Sequence, residues 1–347
     1  MASLEYTVFA LGSNGSGQLG LSHVEDISRP EQSGLSGCTV KQIAAGGNHT
    51  LILSEDGTVE LQGDDSHGQN VMRYLREIDR RVSQLSATWN ASMLLLQSGK
   101  VLVCGEGSSG ELGLGPEVSD AAQAQMIPNF PPDDTTIIQI TSCMAHTVAV
   151  LSNGEVWGWG NGRQGQLGEP TEIVWSPRLV QGLAFSAAKA VCGKDFTCVF
   201  GDRRKAGQVA IFGLKRDRFN LRLSLPSMAV PGWKDVVASW GSVYILRDDG
   251  ELLGFGRNDH GQLPPPGLPP IEAIAAGSEH CLALTKAGRV LAWGWAEHGN
   301  CGDPTDSNGD VKGHWNGIDV LGSARAVFAG CATSFIATTA HVEQSGG

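Results

Sequence analysis

Ala276 to Gly302 reads AGSEHCLALTKAGRVLAWGWAEHGNCG, and the fold turns on what this stretch is. It holds a Gly-x-x-His start (Gly277 to His280), an alternating apolar run through Cys281 and Ala283, and a turn at Gly288. A second alternating run through Val290 and Ala292 leads to a Trp-Gly-rich exit at Gly294. Period-two alternation on both sides of a glycine turn predicts a β-hairpin. A lone hairpin cannot bury its apolar face, so the stretch makes physical sense only as one copy of a repeat.

The repeat runs through the chain. The glycine that ends the second strand recurs at Gly12, Gly63, Gly105, Gly160, Gly213, Gly256 and Gly294. The spacing is roughly 38 to 55 residues, the length of a propeller blade. A second glycine follows five positions later at Gly17, Gly68, Gly110, Gly165, Gly261 and Gly299, with Arg218 in its place once. A polar residue opens each hairpin: His49, Asn90, His146, Asp195, Ser242, His280 and Thr333.

Both halves count to seven, but the chain ends are out of phase with them. Tyr6 to Leu11 is an exit strand with no entry before it, and Val327 to Thr338 is an entry strand with no exit after it. Pairing the two completes a seventh hairpin and hides two sheet edges. The expected fold is all-β, one seven-bladed β-propeller domain over residues 1–347, closed by pairing of the N- and C-terminal strands.

Local details follow. Pro-containing segments after the exits predict outer strands at Ser28 to Gln32, Met126 to Pro132, Trp175 to Val180, Leu263 to Ile271 and Trp315 to Leu321, because an outer edge need not donate every N–H. Asp56-Gly57, Ser98-Gly99, Asn153-Gly154, Asp249-Gly250 and Ala287-Gly288 predict two-residue hairpin turns. Between Asn70 and Leu85, the positions Val71, Leu75, Ile78, Val82 and Leu85 have helical spacing and predict a short helix.

Composition narrows the function. The net charge is −11 and neither end carries a basic tail, so duplex DNA is not the expected partner. No apolar run has the length of a membrane span and Met1 to Tyr6 shows no secretory pattern, so the expected location is the cytoplasm, with the nucleus as a second site. Eight cysteines without a Cys-x-x-Cys fit small buried hydrophobes better than disulfides or metal ligands. Gly12 to Gly20 (GSNGSGQLG) is phosphate-loop-like in wording, but it recurs around a β array with no helix after it, which excludes a dinucleotide unit.

Three features stand out from the repeat. Glu279, His280, Cys281, Glu297, His298 and Cys301 are the densest cluster of reactive side chains, but no oxyanion element or matching acid accompanies them, so neither catalysis nor a metal site is expected. Trp157, Trp159, Trp293 and Trp295 belong to strand exits and are expected between blades, whereas Trp89 and Trp240 stand in entry loops and are candidate anchors. Arg203, Arg204, Lys205, Lys215, Arg216, Arg218 and Arg222 concentrate positive charge, read either as a solvated loop or as a docking patch for an acidic protein or an RNA backbone.

The Gly-x-x-His half followed by Gly-x-Asn-x-x-Gly-Gln-Leu-Gly, at Gly12 to Gly20 and closely at Gly160 to Gly168, resembles the repeat of the regulator-of-chromosome-condensation family. Gly46 to His49, Gly193 to Phe196, Gly277 to His280, Trp293 to Gly302 and Val327 to Thr333 further resemble the fungal alpha-tubulin suppressor group, also called killer-toxin-insensitivity proteins. The wider resemblance implies a seven-bladed propeller. The narrower one implies a non-catalytic scaffold, without cofactor, that binds a small CSL-type zinc protein acting as an iron-binding electron carrier. It thereby supports diphthamide synthesis on elongation factor 2 and Elongator-dependent modification of tRNA wobble uridines, with the Elongator complex or tRNA as further partners through the basic segment. The partner-binding residues expected on this reading are Trp89, Lys194, Asp195, Trp240, Glu279, Trp295, Glu297 and His298. The structural set is Gly12, Gly17, His49, Gly105, His146, Gly160, Gly165, Gly256, His280 and Gly294. The alternative is a guanine nucleotide exchange factor for a Ran-like GTPase.

Overall fold

The computed structural model describes residues 6–34, 39–66, 81–225 and 229–339. The chain opens with β1 (Tyr6–Gly12) and β2 (Ile27–Gln32) and then builds six sheets in sequence. These are β3 (Val40–Ala45), β4 (His49–Ser54) and β5 (Val59–Gly63); β6 (Val82–Ala87), β7 (Ala91–Leu96), β8 (Val101–Glu106) and β9 (Asp120–Met126); and β10 (Ile137–Cys143), β11 (His146–Leu151), β12 (Val156–Asn161) and β13 (Ile173–Leu179). The fourth and fifth are β14 (Ala187–Cys192), β15 (Phe196–Gly201) and β16 (Val209–Gly213), then β17 (Trp233–Ala238), β18 (Ser242–Arg247) and β19 (Leu252–Gly256). The sixth is β20 (Ile271–Ala276), β21 (His280–Thr285), β22 (Val290–Trp295) and β23 (Asp310–Ile318).

The last strands, β24 (Ser323–Ala329) and β25 (Thr333–Thr339), join β1 and β2 in the order β2-β1-β25-β24. Tyr6 pairs with Thr339 and Gly12 with Thr333, so the two ends of the chain form one antiparallel ladder, as the orphan half-repeats require. The inner strands touch in a closed cycle, β3 to β6, β10, β14, β17, β20, β24 and back to β3. This is a seven-bladed β-propeller. Ile27–Gln32 accordingly edges the blade made from both chain ends.

Two devices repeat around the ring. Each exit glycine faces the residue that opens the second strand of its blade: His49 with Gly63, His146 with Gly160, His280 with Gly294. All seven exit glycines have φ between 91° and 115°, and a Cβ at any of them would collide with the carbonyl oxygen just before that opening residue. Positive φ and a backbone contact exclude every other residue type. The second device is a bulge near the start of each inner strand, between Val40 and Gln42, Val82 and Gln84, Ile137 and Gln139, and at the matching place in the other four. The bulge turns the next side chain onto the neighbouring blade. Gln42 thus bonds both the N–H and the C=O of Leu85, at 2.9 and 2.8 Å, and Gln139 does the same to Ala190, at 2.8 and 2.9 Å. Gln84 links Ile138 and Ile140, and Lys189 pairs with Asp235.

Several local expectations are corrected. Register puts Ala91 and Phe196, not Asn90 and Asp195, opposite Gly105 and Gly213. The slot is therefore apolar in two blades, and the polar neighbours sit in the loop. Val82 and Leu85 lie in β6 with their side chains buried, because the core period there is that of a strand; the rest of the expected helix, 70–80, is outside the described residues except as sequence. The outer strand of the second sheet is Asp120–Met126, ahead of the Met126 to Pro132 segment, whose Phe130 instead packs on Trp157 and Trp159. Trp315 to Leu321 is strand only as far as Ile318. Leu263 to Pro270 forms no strand: its five prolines remove the donors a ladder needs, and Pro264 packs on Gly254 instead.

The hairpin turns are one residue longer than expected. Gly57 N donates to Ser54 O and Ser54 N to Thr58 O, both at 2.9 Å, which defines a three-residue loop with a glycine bulge. The same pair of bonds closes the turns at Gly99, Gly154, Gly250 and Gly288, whose φ values run from 80° to 97°.

Candidate partner-docking face

Because opening residues and exit glycines are register partners, the entry loops and the exit loops share one face of the ring and the hairpin turns form the other. The entry loops are stitched to one another by backbone bonds. Gly47 N donates to Trp89 O and Trp89 N to Met144 O; Lys194 N donates to Trp240 O, Trp240 N to Ser278 O and Ser278 N to Gly330 O. They rim a central channel of 320 Å³.

Three expected site residues meet at its mouth. Trp89 comes from the second blade and Trp240 from the fifth, on the far side of the ring, yet their ring centroids are 6.1 Å apart. Lys194 Nζ stands 5.3 Å from the Trp240 ring centroid, a cation–π distance. Trp89 is 37% exposed and Lys194 is also exposed. Trp240 is half-buried, and an exposed ring, a half-buried ring and a cation together are the composition of an interface anchor. Asp195 is exposed beside Lys194 and lines a second cleft with Trp240.

The other expected residues are placed differently. Glu279 is buried at 2%, ion-paired with Arg257, and accepts a 2.8 Å bond from Gln262 Nε2. Burial raises its carboxyl pKa, opposed by the Gln262 bond and the Arg257 charge. Trp295 stacks on His260 at 5.0 Å, and His260 in turn bonds Asp310 at 2.9 Å. His298 bonds Asp26 at 2.8 Å, joining two exit loops, and Glu297 is exposed beside it. Glu279, Trp295 and His298 thus have partners within the ring, whereas Trp89, Trp240 and Lys194 form an open cluster.

The three histidines of the structural set bond across the seams between blades. His49 Nε2 meets Ser92 Oγ at 3.2 Å, His146 Nε2 meets Thr197 Oγ1 at 3.1 Å and His280 Nε2 meets Ser334 Oγ at 2.9 Å. Each histidine therefore reaches a hydroxyl in the next blade. Burial pulls all three imidazoles down to about 4, so they are neutral near pH 7.

Trp159 and Trp293 are fully buried and clip the preceding exit loop, donating to Glu111 O at 2.9 Å and Gln262 O at 3.0 Å. Within the first exit loop, the N–H groups of Ser13, Asn14, Ser16, Gly17, Leu19 and Gly20 are all taken by protein acceptors. Little remains to cradle a phosphate.

The reactive cluster around Cys281 comes apart. Cys281 Sγ contacts Gln262 O, Cys301 Sγ lies near Trp295 O and His280 bonds Ser334. Burial pushes the Cys281 thiol up to about 12 and Cys301 well above its ordinary value, the reverse of what a nucleophile or ligand needs. The basic segment is split as well. Arg203, Arg204 and Lys205 lie in the β15–β16 turn, while Lys215, Arg216, Arg218 and Arg222 follow Gly213 at the other end of β16, so they occupy opposite faces. Arg222 belongs to α1 (Leu221–Ser224), a single turn.

Residues 7–338 match the RCC1-like domain. The chain belongs to this family. An RCC1 repeat-containing protein of Schizosaccharomyces pombe is 32% identical, over 95% of this chain and 98% of that protein. The mouse secretion-regulating guanine nucleotide exchange factor is 27% identical over 87% of this chain and 76% of its own. Among solved structures, human WBSCR16 superposes with a TM-score of 0.81 at 18% identity, covering 97% of this chain and all (100%) of that one. Prp20p of Saccharomyces cerevisiae gives 0.81 at 20% identity, covering 99% and 94%. These likenesses carry the fold, and an RCC1-like propeller is a scaffold for protein interaction.

Proposed function

We propose that this RCC1-like propeller is a non-catalytic scaffold that docks a small CSL-type zinc protein on the entry-loop face and so supports diphthamide synthesis and Elongator-dependent tRNA modification. The observation that carries the docking face is the pairing of exposed Trp89 with half-buried Trp240 at the channel mouth, with Lys194 beside it. The identity of the partner rests on the loop wording at Gly46 to His49, Gly193 to Phe196 and Trp293 to Gly302. Loop positions are free to diverge in a propeller, because the glycines and seams hold the ring without them.

Calorimetric titration of the zinc protein tests this reading. Trp89→Ala with Trp240→Ala is expected to weaken binding at least tenfold, as truncating central aromatic anchors does. Glu297→Ala, at the exposed edge of the sixth blade, is expected to weaken it less. No binding by the unaltered chain removes the reading.

A second reading is favoured by one observation, the mouse relative named as an exchange factor. It predicts that the propeller accelerates release of a fluorescent nucleotide from a Ran-like GTPase. An unchanged release rate removes it.

A further inference from the structure

Beside the tryptophan pair lies a cleft of 420 Å³ between the Trp240 loop and the exit loop of the fourth blade. Its aromatic walls are Trp240 and Phe219, the latter 40% exposed. Its cations are Lys194, Arg216, Arg218 and Arg257. Arg257 is committed: Asp259 and Glu279 hold its guanidinium, which stands 5.2 Å from the Phe219 ring centroid. Lys194, Arg216 and Arg218 are exposed and make no ion pair among the described residues. The segment 214–222 carries four cations against one carboxylate, Asp217, which accepts the amides of Leu221 and Arg222 at 2.8 and 2.9 Å. This positive surplus runs against the net charge of −11 for the chain.

Three carboxylates also line the cleft: Asp217 is held by the Leu221 and Arg222 amides and Glu279 by Arg257 and Gln262, so the occupant must satisfy the free cations, the aromatic walls and the one uncommitted carboxylate together. Asp195 lines the cleft and is exposed. A polyphosphate backbone offers only acceptors and would be repelled there, whereas a peptide brings N–H donors as well as carboxylates. A nucleic acid would also need a longer basic track, and Arg203, Arg204 and Lys205 on the opposite face cannot extend it. The volume falls within the range of ordinary ligand pockets, about 300 to 1,000 Å³.

We infer that this cleft takes a short acidic peptide segment of a partner protein, with an aromatic side chain between Trp240 and Phe219 and flanking carboxylates on Arg216, Arg218 and Lys194. The inference rests on the reading that this face docks a protein, and it specifies the chemistry of the segment bound.

The probe is a fluorescein-labelled hexapeptide of Asp and Glu around one Phe, titrated into the full chain and followed by anisotropy. Its Asn/Gln counterpart and an oligouridylate serve as competitors. The acidic peptide is expected to bind at least tenfold more tightly than the amide peptide, and to weaken strongly in about 0.5 M salt. Arg216→Glu with Arg218→Glu, and separately Phe219→Ser, are each expected to weaken it at least tenfold, with thermal melts showing that the ring is intact. Equal binding of acidic and amide peptides overturns the inference, as does tighter binding of oligouridylate that is lost in the arginine variant. If one variant fails to fold, the other decides. Titrating the zinc protein in parallel separates the two readings: peptide binding without zinc-protein binding removes only the named partner, and the reverse removes only the cleft.

Discussion

Two parts of the same face look alike in sequence and differ in structure. Trp89, Trp240 and Lys194 at the channel mouth, and Trp295, Glu297 and His298 on the sixth exit loop, are both mixtures of aromatic and charged residues that the repeat does not require. In the second group the Trp295 ring is taken by His260 and the His298 ring by Asp26. In the first group the Trp89 ring lies on Gly47, and the two rings and the ammonium otherwise meet one another, with no hydrogen bond or ion pair holding the side chains among the described residues. Residue type nominates a surface, but the partners already present decide whether a side chain is free to bind.

The contrast can be broken at several strengths. The largest effect concerns the scaffold under both groups. Ending the chain at Gly322 removes β24 and β25, strands the β1 edge and opens the ring, so cooperative unfolding is expected to be lost throughout. A truncated chain that melts like the full one contradicts the closure. Next, Gly160→Val places a β-branched residue at a φ of 102°, against the Ala145 carbonyl, and is expected to cost about 3 kcal/mol or more in urea unfolding.

Acid should act on the seams. His49, His146 and His280 titrate near 6.5 when unfolded and at about 4 when folded. The unfolded chain then binds more protons between these values, so their contribution is fully present above about pH 6.5 and is lost as pH falls toward 4. The slope approaches about 1.4 kcal/mol per pH unit for each histidine. His146→Gln should flatten the stability–pH curve measured by urea unfolding; an unchanged slope would mean that His146 is not buried neutral.

The smallest effects separate side chains held by partners within the ring, Glu279 among them, from those of the open cluster. Glu279→Gln removes the buried carboxylate that holds Arg257 and is expected to destabilise the fold by about 1 to 3 kcal/mol. Trp89→Ala should change stability by less than that while removing most partner affinity. The opposite ranking in paired melting and binding assays would show that the division between locked and open residues is misplaced.

Much of this was legible in the sequence. The exit glycines were readable because a backbone collision and positive φ leave no substitute, and ring closure because half-repeats at the two ends must complete each other. The opening slot was misread in two blades, where polar Asn90 and Asp195 precede the buried Ala91 and Phe196 and only the ladder fixes which faces the glycine. The seam glutamines escaped notice because a bulge, invisible in composition, re-aims them. The Trp89–Trp240 contact joins blades on opposite sides of the ring and has no local signal. The basic run looked continuous because sequence distance ignores that β16 carries the chain from one face to the other.

Amide hydrogen exchange on the full chain, with and without the zinc protein, tests the docking face most directly. Added protection is expected in 88–90, 193–195 and 239–241, with little change at 295–300 and none in the hairpin turns of the opposite face. Protection confined to 295–300 or to those turns would contradict the assignment of the tryptophan-rimmed mouth as the binding surface.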